Sequence, residues 1–282
     1  MQSSPAFRVF IYSAAVFAGA VILAPFVWLL ISSVAAPADL LVRPLKWIPA
    51  HASLSRYAEI FFGAGDDTAI TFRAAMVNST IVAGSSVLIS LGVGIFGAYA
   101  FARLRFRFQR AILLLFLSTY MLPPIALLIS LYLTMAQLRL LDTRIGLILV
   151  YCSFITPFVL WIMSGYFRSI PRDLEDAARI DGCSRMGALF RVILPLARPG
   201  LLATALFGFL LAWDEFLYAL IFTSSLESKT IPVAIAEFTG RHAVDFGMMA
   251  TGGVLASLPP LAIAFLFQRY IVGGLASGAV KG

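Results

Sequence analysis

Six stretches of the sequence, near 9–34, 76–102, 111–133, 145–167, 200–222 and 248–267, are apolar over enough residues to cross a hydrocarbon core of about 30 Å. Lipid offers no partner to a bare backbone N–H or C=O, so apolar runs of this length fold as helices. The sequence therefore predicts an all-α polytopic membrane protein with six transmembrane helices. Charged residues make up only 12% of the chain and hydrophobic ones 61%, whereas in ordinary soluble domains roughly a quarter of residues are charged. No stretch is left for a separate soluble domain, and 1–282 reads as a single transmembrane domain. The first run is followed by the small residues Val34, Ala35 and Ala36, as a cleaved leader would be. Its length exceeds the roughly 7–15 apolar residues of a leader, however, and it reads as a retained span.

Charge orients the spans. The N-terminus, the 103–110 turn, segment 168–199 and the C-terminal tail together hold 13 of the 21 Lys and Arg residues and four acids. The three opposite loops hold the other 8 basic residues, balanced by eight acids. The positive side is expected to face the cytoplasm, with both termini and segment 168–199 on it. The net charge of +7 thus speaks of orientation and of anionic lipid headgroups, not of nucleic acid. Cys152 and Cys183 sit in settings too different to suggest a disulfide, and no metal-ligand spacing occurs.

Segment 168–199 reads as a helix-turn-helix. Pro171 suits a first helical position, Asp173, Glu175 and Asp176 favour the positive end of a helix dipole, and Gly182 stops the helix. A second helix is expected to carry Met186, Leu189, Phe190 and Ile193 as one apolar stripe and to end at Pro195. Leu174, Ala177 and Ala178 share one face of the first helix and offer a small surface that a cleft can enclose.

The run Asp176-Ala177-Ala178, with Gly182 after three residues and then Val192 and Leu194-Pro195, resembles the "EAA" signature of permease subunits of binding-protein-dependent ABC importers. Asp176 stands where that signature has Glu, and Val192 where it has Ile. Asn78-Ser79, the run Ala98-Tyr99-Ala100-Phe101-Ala102-Arg103, Trp213-Asp214-Glu215-Phe216-Leu217 and the tail 278–282 are similar to the carbohydrate-uptake branch, most of all to the smaller permease of maltose-type transporters. Asp214 replaces the commoner Asn. The resemblance implies a six-helix fold with a cytoplasmic coupling insert in a prokaryotic inner membrane. The implied partners are a second permease subunit, two copies of an ATPase subunit and an extracytoplasmic solute-binding protein. On this reading Arg172, Leu174, Glu175, Asp176, Ala177, Ala178, Gly182, Phe190, Leu194 and Pro195 carry the ATPase contact, and the tail 278–282 either reaches the ATPase as well or simply frays at its glycines.

Several polar or breaking residues fall within the spans. Asn78, Tyr120, Pro123, Trp213, Asp214 and Glu215 are candidates for the translocation path. Each intramembrane carboxylate costs about 2.5–3.5 kcal/mol at the bilayer centre, so Asp214 and Glu215 are expected to face protein or water. They either line the path or act as a latch at a helix break, and residues about 100° apart on one helix do not both point into one channel. Pro123-Pro124 and Pro259-Pro260 are expected to interrupt spans three and six. Ridges of small residues, Ser86, Ser90, Gly94, Ala98 and Ala102 in span two and Gly200, Thr204, Gly208 and Ala212 in span five, serve either internal packing or a subunit seam.

The chain lacks an energy source of its own. Its only lysines are Lys46, Lys229 and Lys281, none in a phosphate-cradling loop. His51 and His242 fall in loops rather than in spans, which disfavours an ion-driven carrier. No covalent chemistry and no cofactor are expected in this chain; ATP and Mg belong to the partner ATPase. Sugar import is the leading reading. A phosphorylated polyol as solute, an ion-coupled carrier and a membrane scaffold stand as alternatives.

Overall fold

The structure, a computed structural model, describes residues 5–42, 47–49, 51–63, 67–238 and 245–279, with only the helical backbone described at 5–6 and 269–279. His242, Lys46 and residues 280–282 of the tail lie outside this range. The helices in chain order are α1 (Pro5–Val34), α2 (Pro37–Leu41), α3 (Ser55–Phe62), α4 (Asp67–Arg103), α5 (Gln109–Ser118), α6 (Pro124–Gln137) and α7 (Arg144–Ser169). They continue as α8 (Arg172–Ile180), α9 (Arg185–Ala188), α10 (Leu194–Leu196), α11 (Arg198–Trp213), α12 (Leu217–Phe222), α13 (Ile231–Glu237) and α14 (Phe246–Ala279).

Among the described residues, four helices are long and apolar enough to cross a membrane, and the number rises to six if each of two bent pairs is one span. One pair is span three, interrupted at Pro123-Pro124 as the sequence predicts, and the other joins Arg185–Leu196 of the insert to Arg198–Trp213 of span five. In span three the chain turns by 97° between Gln109–Met121 and Pro124–Gln137. Pro123 forces Leu122 out of the helical region to ψ 126°, and Pro124 then starts α6. In span five the helix stops at Trp213 and resumes at Leu217. Pro259 and Pro260, in contrast, do not interrupt α14. Proline's fixed φ is itself helical, and two missing N–H donors remove bonds without redirecting the chain.

The chain forms two compact units. The first contains 1–73 and 234–258. Arginines close its helix ends: Arg56 Nη1 donates to the Ser33 and Ala35 carbonyls at 3.1 and 2.8 Å, and Arg73 donates to those of Ile60, Phe61 and Gly63. Cations at a helix C-terminus satisfy carbonyls that lack an intrahelical donor. Phe72 stacks on Phe238 at 6.0 Å.

The second unit contains 74–233 and 259–282, and α7 is its axis. Tyr151, Ile155, Val159, Met163 and Phe167, spaced every four residues, are fully buried. The small-residue ridge of α4 packs on this helix. A Cβ on Gly94 would sit 2.5 Å from Val159 Cγ1, and Thr156 Oγ1 donates to Ser90 Oγ at 3.2 Å. The ridge of α11 packs on it too, with Gly200 over the Tyr166 ring, Thr204 Oγ1 3.5 Å from Met163 Sδ and Gly208 beside Ile155. Both ridges are therefore engaged in packing within the chain.

At one end of this unit the 223–230 loop is tied from two sides. Asn78, fully buried, donates through Nδ2 to the Leu226 and Lys229 carbonyls at 2.9 and 2.8 Å, and Ser79 Oγ accepts from Ile231 N. Asp142 accepts from Ser224 N at 2.8 Å, from Ser225 N at 2.9 Å and from the Ser228 hydroxyl. Partial burial pushes the Asp142 carboxyl up, but these donors outweigh it and hold the group well below the usual carboxylate range.

Two expectations follow. Gly94→Leu forces α4 away from α7 and lowers the apparent Tm of the purified protein by about 3–10 °C; Gly92→Leu, where nothing lies within 4 Å, leaves it unchanged, as thermal unfolding in detergent will read. Because the folded pKa of Asp142 is depressed, its contribution is fully present above the unfolded value of about 4 and is lost as pH falls through the folded one. The Tm deficit of Asp142→Asn should then be constant between pH 7 and about 5 and shrink on further acidification. A deficit that grows with acid would overturn this assignment.

Candidate functional site

Helix α8 is built by local signals. Pro171 is its N-cap, one position earlier than the sequence suggested, with Asp173 and Glu175 in the first turn. At the other end Gly182 adopts φ +87°. Its N–H donates to the Arg179 carbonyl at 3.2 Å, and Cys183 N donates to that of Ala178 at 3.0 Å. This paired closure demands a left-handed residue, so glycine is placed where it is needed. Ser184 Oγ then caps α9 by accepting from Gly187 N at 3.1 Å.

The second half of the insert departs from expectation. Residues Leu189–Ile193 form a π-helical turn in which Leu194 N donates to the Leu189 carbonyl, and Pro195 lies inside α10 rather than ending the helix. The wider π turn relieves the clash between a proline ring and the preceding turn. The direction changes only after Leu196, where α11 leaves at 78°. The extra residue in the turn also splits the expected stripe. Leu189 and Ile193 are fully buried, whereas Met186 and Phe190 are 45% and 50% exposed. Phe190 still meets Phe96 of α4 edge-on at 6.1 Å, and Leu194 and Pro195 are half-buried.

The faces of α8 divide the remaining candidates. Leu174 and Ala177 are exposed, together with Ile180, whose large apolar side chain the sequence reading did not single out. Ala178 is turned inward, not outward with Leu174 and Ala177. Arg172, Glu175 and Asp176, expected beside the exposed face, lie on another flank with Arg179 and line a cavity of about 560 Å³. Arg103, Leu104, Arg105, Phe106 and Arg185 complete its wall.

Glu175 fastens α8 to α4. Its Oε1 accepts from the Tyr99 hydroxyl at 2.5 Å, and its Oε2 lies 3.1 Å from Arg103 Nε as an ion pair whose geometry is not that of a linear hydrogen bond. Arg103 also donates through Nη2 to the Ile170 carbonyl at 2.9 Å, immediately before the insert begins. The sequence shows Tyr99 and Arg103 only as members of the 98–103 run; their spacing of four on one helix face, which lets both reach one carboxylate, was legible but was given no role there.

The path candidates are not gathered into one site. Asn78 is consumed by the loop carbonyls. Trp213 is buried and stacks on Phe209 at 5.2 Å. Glu215 accepts from Tyr218 N and Ala219 N, capping α12, and from the Tyr151 hydroxyl at 2.7 Å. That arrangement is the latch at a helix break, and Asp214 and Glu215 do not share a helix, so the expected separation of about 100° does not apply to them. Asp214, Pro123 and Tyr120 are exposed, with the Tyr120 hydroxyl donating to the Phe154 carbonyl at 2.5 Å.

The chain is similar in sequence and fold to known transport proteins. It is 36% identical over 92% of its length to the sulfoquinovosyl glycerol transport system permease protein SmoH of Agrobacterium fabrum, covering 88% of that protein. It is 34% identical over 98% of its length to the trehalose/maltose transport system permease protein MalG of Thermococcus litoralis, covering 97% of it. Its fold matches a chain of a bacterial ABC transporter that imports the acidic polysaccharide alginate, with a TM-score of 0.76 and 23% identity over 96% of this chain and 99% of that one. Residues 90–276, which take in α8, the π turn and the latched span, match the family described as binding-protein-dependent transport system inner membrane component, and the chain belongs to that family.

Proposed function

We propose that this chain is one of two permease subunits of an ATP-driven sugar importer, coupled to its ATPase through α8. The observation that carries the reading is the exposed Leu174–Ala177–Ile180 face on a helix bound to α4 through Glu175, Tyr99 and Arg103. A cleft on an ATPase subunit encloses this small apolar surface, and the ion pair passes its displacement to the span. ATP and Mg are bound and hydrolysed by two copies of that partner, and this chain does no covalent chemistry. A solute-binding protein delivers the solute from the opposite side, and the path runs between this chain and a second permease. The concentration of Lys and Arg on one side supports a cytoplasmic position for both termini and the insert.

The named sugar and glycoside permeases among its relatives support a carbohydrate as solute. Of the path candidates, Tyr120, Pro123 and Asp214 have exposed side chains to offer, whereas Asn78, Trp213 and Glu215 act in the scaffold. Alternating access then follows the ATPase cycle, with the insert as the differential contact between the two states.

Two variants test the coupling in the complex reconstituted in nanodiscs. Ala177→Glu buries an unpaired charge in the docking face and should lower solute-stimulated ATP hydrolysis at least about 10-fold, with the membrane fold intact. Full stimulated activity would show that the contact lies elsewhere. Glu175→Gln leaves the docking face unaltered but deprives Arg103, whose side chain is 4% exposed, of its counter-charge. ATPase recruitment should persist in that variant while solute stimulation falls several-fold.

A further inference from the structure

The cavity between the end of α4 and α8 has a use that coupling does not explain. Five arginines line it, Arg103, Arg105, Arg172, Arg179 and Arg185, against two carboxylates, Glu175 and Asp176. Arg103 and Glu175 neutralise each other. Among the described residues, none of the other four arginines is ion-paired with a carboxylate, so the cavity is left with a net charge of +3 including Asp176. Planar guanidinium groups around a concave site bind pairs of phosphate oxygens bidentately. The volume of about 560 Å³ lies within the range of small-ligand pockets, roughly 300–1,000 Å³.

Position selects the source of that phosphate. Arg103 is the last residue of a long membrane span, so the cavity sits where headgroups lie. Phe106 forms part of the wall and is 40% exposed, and its ring is held by Phe101 at 5.5 Å. Beyond it, α5 presents Ile112, Leu114, Leu115 and Phe116 to the surroundings. The Gln109 side chain, donating to the Phe101 carbonyl, closes the turn that joins the two helices. A basic cup thus opens onto an apolar helix.

We propose that this cavity binds the headgroup of an anionic membrane phospholipid, with its acyl chains lying along α5. The site needs only the membrane fold and holds whichever solute the chain carries. It occupies a different flank of α8 from the exposed Leu174–Ala177–Ile180 face, so lipid binding and ATPase docking are separable.

The test uses the assembled transporter in detergent, titrated with phosphatidylglycerol or phosphatidylcholine of the same chain length and read by native mass spectrometry. Phosphatidylglycerol should be preferred, and its affinity should fall roughly 5-fold in Arg105→Gln or Arg185→Gln and about 25-fold in the double variant. Arg107→Gln removes a charge that stacks over Phe108 and does not line the cavity; it should change the affinity by less than about 2-fold. The single variants keep the test open should the double variant assemble poorly. Equal phosphatidylglycerol affinity in native and variant proteins would overturn the site. Displacement of the lipid by inorganic phosphate at equal concentration would make it a free-anion site instead. Loss of the ATPase subunits from the variants, with lipid binding unchanged, would assign the arginines to protein docking.

Discussion

The second unit rests on one packing constraint: α7 presents large side chains along a ridge, and its neighbours give way to it with small ones. Lipid tails are as apolar as leucine, so spans gain nothing from merely hiding apolar surface and must associate through close contact. Gly94 against Val159 and Gly200 against the Tyr166 ring leave no room for a Cβ. Close approach brings weak polar contacts within range, Thr156 to Ser90 and Thr204 to Met163, that a wider helix separation would forfeit. The insert inherits its position from this arrangement, since only two residues separate the end of α7 from the start of α8.

Fixing α8 takes more than its connection to α7. An isolated helix of nine residues is marginal in water. It is held here by Ala178 turned inward, by its closure at Gly182 and by Glu175 paired to Arg103. The pair is mostly buried, at 4% and 11% side-chain exposure, so much of its Coulomb attraction is spent on desolvation, and its net contribution to stability is modest. Its value is directional. Tyr99 and Arg103 approach the carboxylate from one face of α4, which fixes both the distance and the rotation of α8 about its own axis. Rotation decides which side chains look outward, and a free amphipathic helix would not keep Ala177 and Ile180 exposed together.

Membrane depth was legible because it depends on composition summed over some twenty residues. The helix-turn-helix was legible because Pro171 and Gly182 act on their immediate neighbours. What escaped the sequence depended on contacts far along the chain. Two proline pairs look alike in the sequence, yet only Pro123-Pro124 breaks its span. There the bend is held by tertiary bonds, from the Tyr120 hydroxyl to the Phe154 carbonyl and from Tyr218 to that of Pro124. The π turn before Pro195 was invisible for a related reason: apolar periodicity assumes 3.6 residues per turn and misplaces Phe190 once a residue is inserted. Glu175 read as a surface charge because its partner Arg103 is 72 residues away.

The two carboxylates of the fifth span show how an intramembrane charge becomes structural. Where α11 ends at Trp213, the following turn exposes N–H groups that lipid cannot satisfy. Glu215 accepts from two of them at the start of α12, and its remaining valence goes to the Tyr151 hydroxyl on the central ridge. The same side chain therefore permits the break and ties it to α7, so the cost of placing a carboxylate near the membrane is offset by bonds the backbone would otherwise lack. Asp214, one residue earlier, makes no such capping bonds and is exposed. Neighbouring acids in one motif are thus set apart by a helix that stops before them, with Glu215 committed to the scaffold and Asp214 left exposed.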